Sequence, residues 1–424
     1  MSTAIQLEAC LPPTGQSYVL RPYQEQSVEA GVAFMQGPGA ENGIIVLPCG
    51  AGKSLVIAAI AKRLGGRCLV FAPSQELLAQ DKSKMEAFGV SPAVYSASFS
   101  SREVGDITLA TIGSVKNRSH LFEAFEYIMV DECHLVNSRG GMYADFFGAL
   151  EGRKVLGFTG TPYRLSHDAF GGAILKFLTR TRPRIFSKVV HVVQNGDLFD
   201  QGFLCKLDYK SVKTGFDPAR LRLNSTGADY TDESVQRHFA ELSFDDQIVR
   251  CVHRLHELGR RGTIVFCRFV EGATYVAERI PGAEVVSAKT PQRERERIIE
   301  GFRAGEIPVV ANSGVLIHGF DYPELANCIL ASPTCSLARY YQSVGRCVRP
   351  HPSKESAFVV DMVGLTKRFG RIEDLRIIRG SNEKWFISGT NGKTLTNVYL
   401  ENSLSPERKK WAQRRWSGGG KWRR

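Results

Sequence analysis

The sequence predicts an α/β protein of two tandem, doubly wound parallel-sheet lobes followed by a short basic C-terminal tail. Three observations carry that expectation. Short apolar runs alternate with amphipathic stretches in the first half of the chain, and the same rhythm restarts near residue 245. At 424 residues the chain is too long for one ordinary domain. Its 43% hydrophobic and 23% charged residues describe a globular chain with an ample core and argue against a disordered one.

In the first lobe, 43–47 (GIIVL), 67–72 (RCLVFA), 106–110 (DITLA), 127–130 (YIMV) and 154–158 (KVLGF) read as buried parallel strands. Residues 53–64 and 74–87 between them have helical spacing. In the second lobe, 263–267, 283–287, 307–311, 327–331 and 357–361 are candidate strands. Candidate helices fall at 245–259, 270–280, 291–304 and 336–348. The expected organisation is an N-terminal segment (1–17), a first lobe (18–162), a connector or insertion (163–210) and a second lobe (211–365). A C-terminal extension (366–407) and the tail (408–424) follow, and the connector contains TRTRPRIFSK.

The net charge of +12 favours a polyanionic partner, and its distribution matters more than its sum. The last 17 residues, RKKWAQRRWSGGGKWRR, hold eight Lys or Arg and no acid, leaving 47 basic against 43 acidic residues in the body. Arg408, Lys409, Lys410, Arg414 and Arg415 offer cations to phosphates, while Trp411, Trp416 and Trp422 offer rings to bases. An anionic membrane surface would attract the same charges, but the glycines at 418–420 break any single amphipathic helix. No apolar run approaches the ~18 residues of a membrane span, and the N-terminal stretch carries no secretory-signal pattern. Ten scattered cysteines without a CxxC pair read as reduced thiols, which points to the cytoplasm.

The chemistry starts at LPCGAGKSL (47–55), between a strand and a helix. Glycines there let backbone N–H groups face phosphates, and a helix N-terminus adds its dipole. In that setting Gly50 and Gly52 shape the loop, Lys53 reaches the β- and γ-phosphates and Ser54 coordinates Mg2+. The strict eight-residue pattern fails at Leu47, which stands where its first glycine belongs. The second half is DECH (131–134) after the apolar strand YIMV. Asp131 at the C-terminal edge of a strand can hold the magnesium of ATP, and Glu132 can orient or deprotonate the attacking water. A zinc site would need further ligands at suitable spacing, and Cys133 and His134, as neighbours, project in different directions for a nucleophilic pair.

GAGKS (50–54), DECH (131–134), TGTP (159–162) and QSVGRCVR (342–349) occur in the order and at the spacing of superfamily 2 helicases. LRPYQ (20–24), APSQELLAQ (72–80), TIGSV (111–115), IVFCRFVEGA (264–273) and GVLIHGFDYPEL (314–325) extend the resemblance over residues 18–365. The DECH spelling resembles the DEAH-like members, and RPYQ, LPCGAGKSLVIA, VDECHL and SLARYYQSVGRCVRP look like the bacterial RadD group of DNA-repair helicases. The resemblance implies two RecA-like lobes with ATP and Mg2+ between them and nucleic acid across their top. It implies that Gln24 reads the adenine edge with Arg21 packed on the base, and that Gly319 and Asp321 approach the ribose and phosphates. It makes Thr159, Thr161 and His134 couplers of nucleotide state to lobe movement. Gln342, Arg346 and Arg349, expected on one face of one helix, become a charge clamp for the γ-phosphate, with Arg349 as arginine finger. Strand contacts are expected from Pro73, Ser74 and Gln75, from Gly113 and Ser114, and from Arg268, mostly to phosphates.

Two departures stand against the resemblance. TGTP replaces the commoner TATP or SATP, which keeps the threonines. The cysteine-rich, zinc-binding C-terminal region expected of RadD-type proteins has no counterpart among these cysteines. The expected activity is an ATP-dependent DNA helicase or translocase on single-stranded, forked or branched DNA. A duplex translocase without strand separation, an ATPase serving as a binding switch, and an RNA helicase are the alternatives, since phosphate-dominated binding does not choose the sugar.

Overall fold

The computed structural model describes residues 19–398 apart from 139, 151, 168–172, 226 and 316–321. The segment 1–17, Gly319, Asp321 and every basic or Trp residue named in the tail therefore lie outside the described residues.

The first sheet forms where the apolar runs predicted it. Its strands are β1 (Gly43–Val46), β2 (Cys68–Phe71), β3 (Ala93–Ser96), β4 (Ser101–Arg102), β5 (Ile107–Ala110), β6 (Tyr127–Val130) and β7 (Val155–Thr159). A hairpin of β8 (Tyr163–His167) and β9 (Ala173–Phe177) follows, and then β10 (Lys188–Val192) and β11 (Leu207–Ser211). The order in the first sheet is β10-β1-β7-β6-β2-β5-β3-β4, parallel except for β3 with β4. The second sheet uses β12 (Thr263–Cys267), β13 (Glu284–Ser287), β14 (Val309–Ser313), β15 (Asn327–Ala331) and β16 (Ala357–Asp361). Its order is β11-β16-β15-β12-β14-β13, all parallel. Every residue of β1, β2, β7, β12 and β15 is buried, so no alternation of polar and apolar residues marks these strands.

The connector is not a separate unit. Its β10 pairs with β1 on the first sheet, and β11 pairs with β16 on the second, so the segment stitches the two sheets together. Half-exposed edge strands such as β10 lack the buried apolar run by which the central strands were read. The C-terminal extension forms an antiparallel hairpin, β17 (Arg376–Arg379) with β18 (Trp385–Ser388), that packs back on the connector. Gln194 clamps the backbone of Ile377 in both directions, at 2.8 and 3.0 Å, and Trp385 stacks on Phe177 with ring centroids 6.4 Å apart.

The helix expected over 336–348 spans only Leu337–Val344. At Gly345, just past its end, a Cβ would meet the Cβ of Cys49 at 2.7 Å. Gln342, Arg346 and Arg349 therefore do not share one helix face: Arg346 and Arg349 lie beyond the helix end.

Cys133 is fully buried and packs on β7, where a Cβ on Gly157 would stand 2.6 Å from its Cβ and 2.7 Å from its Sγ. Overpacking of this kind costs about 1–3 kcal/mol. Gly157→Ala is expected to lower the unfolding free energy by that amount, read as a lower denaturant midpoint at unchanged slope, and an unchanged midpoint would contradict the packing.

Candidate active site

Parallel strands bring their C-terminal ends to one edge of a sheet, and the loops after β1 and β6 meet there. After β1 the backbone stays on the sheet for one more residue: Leu47 is fully buried and its N–H donates to Thr159 O at 3.1 Å. That explains a leucine where the loop pattern expects glycine. The turn itself comes at Gly50 and Gly52, both with φ of 80°, a left-handed geometry that glycine adopts without strain. Gly52 has a second reason, since a Cβ there would stand 2.5 Å from Gln24 Nε2. The helix Lys53–Leu64 begins immediately after, so Lys53 and Ser54 lie on its first turn.

Lys53 Nζ lies 2.7 Å from Glu132 Oε1, with both side chains 14% exposed. Burial opposes the charge on Lys53, but the carboxylates of Glu132 and Asp131 outweigh it and raise its pKa. Burial likewise opposes ionisation of Glu132, yet Lys53 and a hydrogen bond from His134 hold its pKa well below the usual carboxylate range. Asp131 shifts the other way: burial and the neighbouring Glu132 charge raise it. Glu132 sits at φ 47°, ψ 48°, a left-handed conformation that costs a non-glycine residue about 1–2 kcal/mol. This turn directs Glu132 toward Lys53, while Cys133 packs into the core. The four DECH side chains thus do not converge on one point.

Asp81 was not read from the sequence. Its helix, Gln75–Ala87, buries Leu78, Asp81 and Met85 on one face, so an acid occupies a core position. The signal was there: a carboxylate at apolar helical spacing needs a partner. That partner is Ser54, whose Oγ donates to Asp81 Oδ1 at 2.6 Å. Burial raises the Asp81 pKa to about 6. Asp81 Oδ2 and Asp131 Oδ1 are buried without a hydrogen-bond partner among the described residues. The charge of Asp81 is felt by Asp131, and orphaned acidic oxygens together with the Ser54 hydroxyl are hard oxygen donors of the kind that suit Mg2+.

The second lobe closes on this edge. Tyr341, two per cent exposed, accepts from the loop N–H of Cys49 at 3.2 Å and donates to Asn195 Oδ1 at 2.6 Å. Tyr341 lay inside a quoted motif, but its contact to a loop 292 residues away had no local signature. Gln342 Nε2 is 3.4 Å from His134 Nε2, and His134 Nδ1 is 3.2 Å from Glu132 Oε2 and 2.9 Å from Thr159 Oγ1. The two ring nitrogens thus meet Glu132 and Thr159 on one side and the Gln342 amide on the other. Thr161 N–H donates to Thr159 Oγ1 at 2.9 Å, so both threonines join this link. A Cβ on Gly50 would stand 3.0 Å from Val348 and 3.9 Å from Arg349 Cγ. The charges of Arg346 and Arg349 both act on the Cys49 thiol, whose pKa burial raises overall. Lys53, Asp131 and Glu132 thus interact with one another, Gln342 reaches them through His134, and Arg346 and Arg349 act on the neighbouring Cys49.

Other expected residues are placed differently. The Gln24 carboxamide accepts from Arg21 N and donates to Ala51 O, both at 2.9 Å, so it braces the loop. Arg21 lies over the Phe203 ring at 4.9 Å. Ser74 caps its helix by accepting from Leu77 N, and Gln75 donates to Ser98 O; Pro73 beside them is half-buried. Gly113 is exposed, and Ser114 Oγ accepts from Ala97 N at 3.0 Å. Arg268, 12% exposed, is held by Asp229 and Asp232 at 3.3 and 2.8 Å in this structure.

Tyr341→Phe would strand the Cys49 N–H and the Asn195 oxygen in a buried site. Unfolding stability is expected to fall by about 1–3 kcal/mol. Unchanged stability would mean that the hydroxyl does not tie the lobes together.

With this geometry in place, comparison with known proteins gives consistent results. Residues 17–164 match the family described as the type III restriction enzyme res subunit, and residues 246–351 match the helicase conserved C-terminal domain. A 51.5 kDa protein of a Lactococcus phage (isolate 7-9) is 28% identical over 327 residues, covering 76% of this chain and 65% of that protein. The DNA 3'-5' helicase XPB of Kineococcus radiotolerans is 28% identical over 359 residues, covering 80% and 59%. The chain thus spans less than two thirds of either relative. Among solved structures, the DNA-bound ATP-dependent type ISP restriction-modification enzyme LlaBIII superposes with a TM-score of 0.58 at 16% identity, covering 82% of this chain and 28% of that one. S. cerevisiae Dbp5 bound to RNA and ADP BeF3 superposes at 0.54 and 14% identity, covering 80% and 83%. Two ordered helicase regions on two parallel-sheet lobes identify the chain as a member of the DEAD/DEAH-like helicases of superfamily 2.

Proposed function

We propose that the chain is a nucleic-acid-dependent ATPase that drives movement on, or separation of, DNA strands. One observation carries the reading: the charges of Lys53 and Glu132 of the first lobe and of Arg346 and Arg349 of the second all act on Cys49 in the loop after β1. No single lobe holds all the charges that phosphoryl transfer needs.

Lys53 is paired with Glu132 in this structure. A triphosphate entering the loop competes for the Lys53 ammonium and leaves Glu132 free to orient a water and accept its proton. Ser54, Asp131 and Asp81 provide the oxygens that would hold Mg2+, which neutralises phosphate charge when bound. Arg346 and Arg349 supply positive charge from the second lobe as negative charge spreads over the transferring group. The His134–Gln342 contact gives the second lobe a direct link to Glu132, and its make or break with nucleotide state would become lobe movement. Gly319 and Asp321 at the ribose, and Gln24 at the adenine after release from Ala51, complete the proposed nucleotide contacts.

DNA is the favoured track because the Kineococcus relative is named a DNA helicase and LlaBIII is bound to DNA. The exposed Gly113 and the Trp-rich basic tail are the proposed strand contacts, alongside 73–75 and Arg268. The RNA-bound Dbp5 keeps RNA as the second reading.

ATP turnover measured with single-stranded, duplex and forked DNA and with RNA tests this directly. Stimulation by DNA is expected, followed by strand displacement on the best activator; stimulation without displacement identifies a duplex translocase, and no stimulation refutes the motor. Lys53→Ala is expected to lower turnover by about 100-fold or more with the far-UV spectrum retained. Retained turnover would refute the phosphate-loop assignment.

A further inference from the structure

A second basic feature stands apart from the ATP cleft and shares no residue with it. The connector and the C-terminal hairpin enclose a cavity of about 590 Å3, within the range of ligand sites of ~300–1,000 Å3. Seven of its lining side chains are Lys or Arg and one is acidic. The connector run TRTRPRIFSK supplies Arg180, Arg182, Arg184 and Lys188, and the hairpin supplies Arg379 and Lys384. The single acid, Glu383, is paired with Arg379, so it offsets only one of the cations.

The lining is more than a scatter of surface charge. Burial and the charge of Arg182 together lower the pKa of Arg180, as expected of neighbouring cations. Arg182, Arg184, Lys188 and Lys384 are exposed at the rim. Thr179, Ser187 and Asn397 add short polar groups to the wall, and Trp385 lies half-buried in the lining, braced on Phe177. The frame is rigid: Asn397 accepts from Phe177 N at 3.2 Å and donates to Trp385 O at 3.1 Å, tying the hairpin to β9. Such assembly would be unneeded for a merely solubilising face, because like charges held together in a concavity repel one another.

We propose that this cavity is a second nucleic-acid site, which binds the phosphodiester backbone of a DNA strand outside the path across the two lobes. Arginine forks and short hydroxyls suit phosphate oxygens, and the Trp385 ring suits an unstacked base. The inference rests on the DNA reading above and adds a place where the strand is held while the lobes cycle. A fixed grip on one segment would let the cleft pull a neighbouring segment, and it would add salt-sensitive affinity without base preference.

The test uses the full chain and a fluorescent single-stranded oligonucleotide, titrated at several salt concentrations. Arg182→Ala/Arg184→Ala/Lys384→Ala is expected to weaken binding about ten-fold at low salt and to flatten the salt dependence by about two in log–log slope. ATP turnover without DNA should be unchanged, since none of the three residues borders the ATP cleft. Arg182→Lys/Arg184→Lys/Lys384→Arg should restore the slope, which a folding defect would not allow. Wild-type affinity and slope in the alanine variant would overturn the cavity while leaving DNA binding itself intact. A wild-type chain that binds no nucleic acid and shows no stimulated turnover would instead overturn the motor reading. Inorganic pyrophosphate competing as well as the oligonucleotide, mole for mole, would reassign the cavity to small phosphates and overturn the strand.

Discussion

A lysine ammonium held 2.7 Å from a glutamate carboxylate, with little water around either, is the constraint on which this site depends. Removing one partner of such a pair leaves an uncompensated charge and costs about 3–5 kcal/mol. The pair exists because β1 and β6 run parallel and deliver Lys53 and Glu132 to the same edge. Around it the charge is unbalanced: Asp131, Glu132 and Asp81 face one lysine, and burial raises Asp131 and Asp81 while Glu132 alone is held low. Three acids against one base make a site short of positive charge. Mg2+ and the arginines of the second lobe are the natural complements.

The second lobe is tied to this edge by neutral contacts as well as by charge. Tyr341 fastens the phosphate loop to Asn195 of the connector, and Gly345 lets the helix end approach Cys49. The His134 ring lies between Glu132 and Gln342 and also meets Thr159. A change at the phosphate loop therefore reaches the second lobe through a few named atoms. The proposed motor would require two discrete arrangements of this interface, biased by nucleotide.

Much of this was legible in the sequence because the central strands are fully buried and the glycines, lysine and acids follow them at once. GIIV, CLVF, YIMV and TIVFC each became a strand, and the residues after the first and third became the loop and the acidic turn. Edges and ends were harder. β10 is half-exposed and read as connector, and the helix expected to 348 ended at Val344, where Gly345 packs on Cys49 of the first lobe. Asp81 and Tyr341 act through partners 27 and 292 residues away, and only the assembled fold brings such partners together.

In the proposed mechanism, groups from two lobes act on one phosphate. Single-turnover ATP hydrolysis of the wild type, Glu132→Gln, Arg349→Ala and the double variant tests this. Groups acting as a unit are strongly non-additive. Each single change is expected to lower the rate by about 100-fold or more, and the double variant to be scarcely slower than the worse single. Losses that multiply would show that Glu132 and Arg349 act independently, and would contradict a shared site.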